Sequence, residues 1–299
     1  MSGITLVTPT YGPDLERFLL QRESLERCGI TLPHIAVVQD EDLPLFRKIP
    51  FQRNLTLLST REVLPPQIER RRVAYRYRRR HPKRWFVHKP LHGWYTQQFV
   101  KLAVANIVQT EGYVCVDADI FYCDRLVEAD FYAADGRLHL YETTEDLDVE
   151  MAEWLAQSMR FLGIEMRQKR PAKYIHALLP MHTEVVREMI AYIEDRHKGN
   201  WAEAMVDHHV TEYMTYGAYA RYLHHLKRVV PAEPTRCLYY WWADQIATMQ
   251  TDFPERLAQS RAKAVLVQSN LGRAVRDYRA LAELAWSRVE TTAEGGIHT

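Results

Sequence analysis

Three apolar runs in the first half of the sequence each end on polar or acidic residues, and predicted helices separate them. The runs are GITLVTPTYG, HIAVVQDED and YVCVDADIFY, and the helical patterns are PDLERFLLQRESLERCG and GWYTQQFVKLAVANIV. This alternation predicts an α/β fold with a mainly parallel sheet flanked by helices. Ligands of such sheets bind beyond the carboxyl ends of the strands, so we expect one crevice at these polar ends.

The second half is predicted to be mostly helical. Helical patterns cover DVEMAEWLAQSMRFLGI, HHVTEYMTYGAYARYLHHL and AVRDYRALAELAWSRVE, AKAVLVQSNLG is a late strand, and KYIHALLP is a short strand that turns at Pro180 before another helix. No repeat, low-complexity tract or long linker interrupts the chain. We therefore expect one domain over residues 1–299, with a frayed tail at 291–299.

Composition is that of a water-soluble globular protein, with 47% hydrophobic and 26% charged residues. No signal peptide and no apolar run long enough to span a membrane are recognisable. The four cysteines form no CxxC pair. These features predict reduced thiols and a cytoplasmic protein, with a peripheral contact to the inner membrane left open.

Asp117 and Asp119 follow an apolar run, where unpaired buried carboxylates would be costly. In an extended chain their side chains would point the same way. Two such oxygen donors suit Mg²⁺ or Mn²⁺, which would neutralise charge on a departing diphosphate.

Three sequence blocks in this order, GWYTQQFVKLAVANIV, YVCVDADIFY and HHVTEYMTYGAYARYL, carry a family resemblance. From Thr5 to about Gly272 the chain resembles GT-A nucleotide-sugar glycosyltransferases and, more narrowly, an uncharacterised bacterial family, DUF6492, whose members are thought to be glycosyltransferases. The resemblance implies a Rossmann-like GT-A fold, a UDP- or GDP-linked sugar donor and Mn²⁺ or Mg²⁺. It also implies a nucleotide-binding half at 1–124 and an acceptor-side half at 125–290.

By the same resemblance, Asp119 is the direct metal ligand, and Asp117 binds the metal or instead holds the ribose or a water. Asp40 faces the base or ribose, or else caps a turn. Many GT-A enzymes add a late histidine ligand, but the late strand here ends VLVQSN. Either the metal has fewer protein ligands or a histidine comes from elsewhere. The first-strand end approaches the nucleotide through Thr8, Pro9, Thr10 and Tyr11.

The helical pattern before the carboxylate pair adds candidate donor contacts. Gln97 and Lys101 are four residues apart and share a helix face, next to Gln98. We expect Lys101 and Gln98 to contact the donor, with Lys101 acting on its phosphates as a point charge. The alternative is a lysine whose stem lies along the core.

Inverting transfer needs a base for the acceptor hydroxyl, and Glu212 is our candidate, with His209 beside it. The spacing places His208, Glu212 and Tyr216 along one helical stripe, where aromatic neighbours would raise the pKa of Glu212. The alternative is that Glu212 pairs with a histidine and braces the helix. A retaining route would not need this base.

On the acceptor side we expect His176 and Trp241, either of which could instead be structural. Residues 70–89 contain eight Arg and two Lys but no acid. They are either a solvated face or a mobile flap that docks an acidic acceptor or an anionic membrane surface, with Arg78 and Arg79 as contacts. One basic patch on an otherwise acidic chain argues against specific nucleic-acid binding.

The sequence thus predicts a glycosyltransferase that moves a sugar from a nucleotide-diphosphate donor to a hydroxyl of a glycan or lipid-linked acceptor. The alternatives are a nucleotidyl- or sugar-phosphate transferase using the same crevice, and a non-catalytic nucleotide- or nucleic-acid-binding protein. Release of nucleoside diphosphate would distinguish the first from the others.

Overall fold

A computed structural model describes residues 3–50, 53–80, 89–144, 147–165 and 172–295. Its main sheet has the strand order β3-β2-β1-β4-β7, parallel except for the edge strand β7. These strands are β1 (Ile4–Thr10), β2 (His34–Val38), β3 (Leu55–Ser59), β4 (Gly112–Cys115) and β7 (Leu179–His182).

Helices cover both faces of this sheet. In β2 the side chain of Val37 belongs to the large core, whereas Ala36 and Val38 belong to a smaller cluster with Phe18 and Phe46. Neighbouring residues of a strand point to opposite faces, so each face has its own apolar layer. The helices are α1 (Leu15–Arg27), α2 (Leu43–Phe46), α3 (Thr60–Val63), α4 (Pro66–Arg80), α5 (Gly93–Ala103), α6 (Val149–Leu162), α7 (Thr183–His197), α8 (Trp201–Asp207), α9 (Glu212–Ala218), α10 (Ala243–Ser260) and α11 (Arg279–Gly295).

Two small sheets complete the fold. One has the order β5-β10-β9, with β5 antiparallel to β10, and the other pairs β6 with β8. Their strands are β5 (Ile120–Tyr122), β6 (Leu138–Tyr141), β8 (Val229–Ala232), β9 (Cys237–Tyr240) and β10 (Ala264–Val267).

The predicted α/β architecture, a mainly parallel sheet flanked by helices with a largely helical second half, is confirmed. The turn predicted at Pro180 is wrong, because Pro180 lies within β7 opposite Val114. An edge strand tolerates proline because one side of its backbone has no strand to bond. Helix α11 extends to Gly295, five residues into the segment predicted to fray, and 296–299 lie outside the described residues. No described helix is both long and apolar enough to cross a membrane.

Candidate functional site

The two carboxylates lie on a turn between the two larger sheets. Strand β4 ends at Cys115 and β5 begins at Ile120, whose N–H donates to the carbonyl of Asp117 over 3.3 Å. The prediction of one extended strand through this segment is therefore wrong, and the two-residue period does not apply. Asp117 and Asp119 instead contact different partners.

Asp119 is bound on one side only. Its Oδ2 accepts a hydrogen bond from the backbone N–H of Ser269, just beyond β10, at 3.0 Å. Its buried Oδ1 has no hydrogen-bond partner among the described residues. Burial, with the nearby charge of Asp117, raises the pKa of Asp119 to about 7, although the bond from Ser269 opposes the shift. A carboxyl group in this state would gain most from an added cation.

Asp117 faces Lys101, which lies in the last turn of α5. The Lys101 ammonium Nζ lies 3.0 Å from Asp117 Oδ1, an ion pair without hydrogen-bond geometry, and 3.3 Å from Glu212 Oε1. It also lies 4.6 Å from the ring centroid of Tyr213. Burial lowers the pKa of Lys101, but Asp117, Tyr213 and Glu212 outweigh it and the net shift is upward. Lys101 is therefore a charged, buried lysine held between two acids.

Glu212 is the first residue of α9 and is buried. Burial raises the pKa of its carboxyl group, and Lys101 partly offsets this. Its N–H donates to Gln98 Oε1 at 3.3 Å, while the buried Gln98 Nε2 has no hydrogen-bond partner within the described ranges. The partner of Glu212 is thus Lys101 rather than the histidine considered from the sequence.

The predicted helical stripe of His208, Glu212 and Tyr216 is wrong. Helix α8 ends at Asp207 and α9 starts at Glu212, and His209 between them has a left-handed backbone with φ of 53°. His209 is exposed, and its ring nitrogen Nδ1 lies 3.3 Å from the hydroxyl of Tyr95. No described contact joins it to Glu212.

A cleft of about 640 Å³ opens at the carboxyl ends of β1 and β2, between α4 and the start of α5. Two buried hydroxyls in its lining, Thr10 Oγ1 and Thr96 Oγ1, have no hydrogen-bond partner in the part of the chain that the structure describes. Unsatisfied buried polar atoms are rare in folded proteins and are candidates for ligand contacts. Polar and aromatic lining residues include Thr10, Tyr11, Gln39, Arg72, Tyr75, Arg76, Arg79, His92, Trp94, Thr96, Gln97 and Asn270.

The first strand end is divided between core and cleft. Pro9, Thr10 and Tyr11 line the cleft, as the predicted donor contacts would. Thr8 is fully buried, and its hydroxyl is bonded to Gln21 and His34. Asp40 lies on a 3-10 turn after β2 and pairs with Arg61 at 2.8 Å.

The basic segment is helical as far as Arg80, within α4, and 81–88 lie outside the described residues. Part of it is neither a solvated face nor a flap, because acids of the fold neutralise it. Arg72 bonds Glu69 and Glu41, and Arg76 bonds Asp42. The acidic stretch DED at 40–42 is the sequence signal that could have predicted this pairing.

The two arginines singled out on this helix differ in position. Arg79 lines the cleft, and it has no ion pair within the part of the chain that the structure describes. Arg78 is exposed at the same end of α4. An outward stripe at three- and four-residue spacings carries Arg70, Val73 and Tyr77, all exposed.

The two acceptor-side candidates lie on the same edge as the carboxylate turn. His176 precedes β7, whose first residue, Leu179, pairs with Cys115 of β4. Burial lowers the pKa of His176 to about 4, and its Nε2 lies 3.2 Å from the Lys173 carbonyl. Trp241 directly follows β9, beside the β10 end that leads to Ser269.

A family model described as "Family of unknown function (DUF6492)" matches residues 4–283. No curated protein matches the sequence. Among solved structures, mouse xyloside xylosyltransferase 1 is similar with a TM-score of 0.47 at 11% identity, covering 91% of this chain and 99% of that one.

Two further solved structures are similar. The galactosyltransferase LgtC, in complex with donor and acceptor sugar analogues, has a TM-score of 0.46 at 12% identity, covering 93% of this chain and 95% of that one. The glycosyltransferase GlyE of Streptococcus pneumoniae TIGR4 has a TM-score of 0.45 at 11% identity, covering 99% of this chain and 64% of that one.

Proposed function

Because the chain belongs to DUF6492, a family of unknown function, we propose its activity from its own site: it is a GT-A-type glycosyltransferase. It would transfer a sugar from a UDP- or GDP-linked donor to a hydroxyl of a glycan or lipid-linked acceptor. One observation carries the proposal. Within the described residues, a cleft with unsatisfied buried hydroxyls lies at the strand-end edge where Asp119 keeps a buried carboxylate oxygen without a hydrogen-bond partner.

The donor would occupy the cleft. Thr10 and Thr96 offer free hydroxyls to its polar groups, and Tyr11 offers a ring for the base or sugar. Arg79 is the lining cation without an acid partner in the described ranges, so it suits a phosphate or another anionic group of the donor. Asp40 stays a proposed contact for the base or ribose, for which its carboxylate would have to leave Arg61.

Asp117 and Asp119 would hold Mn²⁺ or Mg²⁺. The free Asp119 Oδ1 and the raised pKa of that carboxyl group fit a divalent cation. Within the described ranges no three His, Cys, Asp or Glu residues group as a metal site, so donor phosphates and water would complete the coordination. A bound metal would supply positive charge for the diphosphate as it leaves.

Glu212 is the proposed general base. As the acceptor oxygen forms its bond to the anomeric carbon and the bond to the diphosphate breaks, Glu212 would take the hydroxyl proton. Burial raises the pKa of this carboxyl group, which favours its acceptance of a proton. Lys101 lies between Glu212 and Asp117, so it would orient both carboxylates instead of reaching the donor phosphates. Gln98 would hold the start of α9, and an inverting outcome follows from this base.

The acceptor would approach from the side of His176 and Trp241. We propose that the exposed Arg78, near the end of α4, meets an anionic acceptor or the anionic inner face of the membrane. Arg79, predicted from the sequence as an acceptor-side contact, is proposed instead as a donor contact because it lines the cleft. A cytoplasmic location is proposed from the four cysteines, none of which forms a disulfide.

Product analysis tests this function. The chain would be incubated with UDP- and GDP-linked sugars and Mn²⁺, and the released nucleotide identified. Nucleoside diphosphate supports glycosyl transfer, whereas pyrophosphate or nucleoside monophosphate would indicate a nucleotidyl- or sugar-phosphate transferase. Binding to generic nucleic acid with steep salt dependence and no turnover would indicate the non-catalytic alternative.

Two variants make the product test specific. Asp119→Asn should abolish turnover and Mn²⁺-dependent donor binding without unfolding the chain. Asp124→Asn is the matched control, because this acid follows in the same segment but pairs with Lys263 at 3.6 Å, away from the turn. A donor at 100 times its Kd should stabilise the wild-type chain by about 2.7 kcal/mol, which a thermal-shift screen would detect.

A further inference from the structure

A buried chain of hydrogen bonds leads from α1 to the carboxylate turn. Arg22, fully enclosed in α1, has its guanidinium NH1 2.9 Å from Nδ1 of His34 in β2. His34 Nε2 lies 2.9 Å from the hydroxyl of Thr8 in β1. That hydroxyl donates to Gln21 Oε1 at 3.1 Å, and Gln21 Nε2 donates to the carbonyl of Asp117 at 2.8 Å.

The chemistry of the two ends fixes the direction of every bond in this chain. A guanidinium only donates, so Nδ1 of His34 must accept and Nε2 must carry the proton. Nε2 then donates to Thr8. At the other end a carbonyl only accepts, so the amide nitrogen of Gln21 must face Asp117, and its oxygen is left to accept from Thr8. Each member donates onward, and no bond conflicts with its neighbour.

The same chain requires His34 to be neutral and to hold one tautomer. Burial, reinforced by the charge of Arg22, lowers the pKa of His34 well below its usual value. A protonated ring would set two donors, Nδ1–H and the guanidinium, against each other. This series of hydrogen bonds from Arg22 to Asp117, here called the relay, is therefore stable only in the orientation in which its last member donates to the Asp117 carbonyl.

We propose that Gln21 is a positioning residue that holds the Asp117–Asp119 turn, with Thr8 and His34 fixing its orientation. This rests on the proposed metal site at the turn. The Asp117 carbonyl receives two donors, Gln21 Nε2 and the N–H of Ile120, so the backbone is held where the chain passes between the sheets. Thr8 thus acts on the site through Gln21, not through contact with a donor. Groups that orient metal ligands from behind commonly change metal affinity 10–100-fold.

Gln21→Glu and Gln21→Met test the inference by isothermal titration with Mn²⁺ alone. Glutamate keeps the size and, when ionised, can still accept from Thr8 but cannot donate to Asp117. Methionine loses both bonds. Both should raise the Kd for Mn²⁺ by about tenfold or more. Thr215→Val is the matched control, since it removes another buried hydroxyl bond, to Ser158 at 3.1 Å. A Kd in both Gln21 variants equal to that of wild type, or an equal rise in Thr215→Val, overturns the proposal.

Two further measurements keep the failure of the metal site separate from the failure of the relay. Nitrogen NMR should show His34 as the neutral Nε2–H tautomer, and hydrogen exchange at Ile120 should speed up in both Gln21 variants but not in Thr215→Val. If the wild-type chain binds no Mn²⁺, the proposed metal site fails while these two results still decide the relay. An Nδ1–H or charged His34, or unchanged exchange, overturns it. The double variant Thr8→Val with Gln21→Met should have a Kd for Mn²⁺ no higher than that of Gln21→Met alone, since both substitutions interrupt the same series of hydrogen bonds.

Discussion

Lys101 and Glu212 form a buried ion pair, with 3.3 Å between Nζ and Oε1, although they come from helices far apart in the sequence. The same ammonium lies 3.0 Å from Asp117 Oδ1. One cation therefore joins the proposed base to a proposed metal ligand. Removing one partner of such a pair leaves a buried charge uncompensated, which costs more than the intact pair contributes.

Lys101→Met should lower the free energy of unfolding by about 3–5 kcal/mol at neutral pH, because Glu212 and Asp117 lose their shared cation. Urea denaturation would measure this. Adding Glu212→Leu to Lys101→Met should recover part of the loss. Lys198→Met is the control, since its fully exposed pair with Asp195 at 2.9 Å is screened by water and should leave the free energy of unfolding almost unchanged. Equal stability of Lys101→Met and wild type would contradict the burial argument.

Glu212→Gln should slow transfer by roughly 10²–10⁴-fold while the donor Kd stays the same, because the amide keeps the shape but cannot accept a proton. Steady-state rates and donor titration would be measured together. Glu184→Gln, at an exposed acid paired with Arg187, should leave both quantities unchanged. A fully active Glu212→Gln chain would leave Glu212 with a bracing role only.

The raised pKa of Asp119 has a stability consequence with a definite sign. The folded state holds this proton up to about pH 7, whereas the unfolded carboxyl group loses it near pH 4. The folded state thus binds more protons in this interval, and its stability from this group falls as pH rises from about 4 to 7. Asp119→Asn should remove that slope in metal-free buffer, so the difference between variant and wild type in unfolding free energy should grow with pH. A difference that does not change with pH would mean that the carboxyl group titrates normally.

The main sheet could be predicted because its strands are short apolar runs that end in polar residues, a purely local signal. The turn at Asp117–Asp119 could not. Two acids in an alternating run look extended, and what bends the chain is the pairing of β5 with β10, which comes much later in the sequence. The alternation of apolar and polar residues in this segment carries no information about its pairing with β10.

The site shows the same division. Helical spacing correctly placed Lys101 on α5, but the direction of its side chain depends on acids from the turn after β4 and from α9, which no local pattern reports. The stripe through Glu212 failed because the left-handed backbone at His209 breaks the helix without a glycine or proline to announce it. Gln21 gave no signal at all, since its role exists only through its contacts.

The adjacent arginines of α4 should separate donor from acceptor. Both arginines are exposed, and among the described residues Arg79 lines the cleft whereas Arg78 does not, so each serves as the charge-matched control for the other. Arg79→Ser should raise the donor Kd and leave anionic vesicle binding unchanged. Arg78→Ser should leave the donor Kd unchanged and weaken binding to vesicles containing anionic lipid by about fivefold, since one arginine near such a surface is worth about 1 kcal/mol.

Salt dependence checks the second arm of this prediction. The Debye length falls from about 10 Å at 0.1 M salt to about 3 Å at 1 M, so vesicle binding through Arg78 should weaken as salt is added. In Arg78→Ser the salt dependence of vesicle binding should be smaller. Neutral vesicles should bind neither chain. If Arg78→Ser impairs the donor Kd while Arg79→Ser does not, the cleft is not the donor site. If Arg78→Ser does not change vesicle binding, this end of α4 does not meet the membrane.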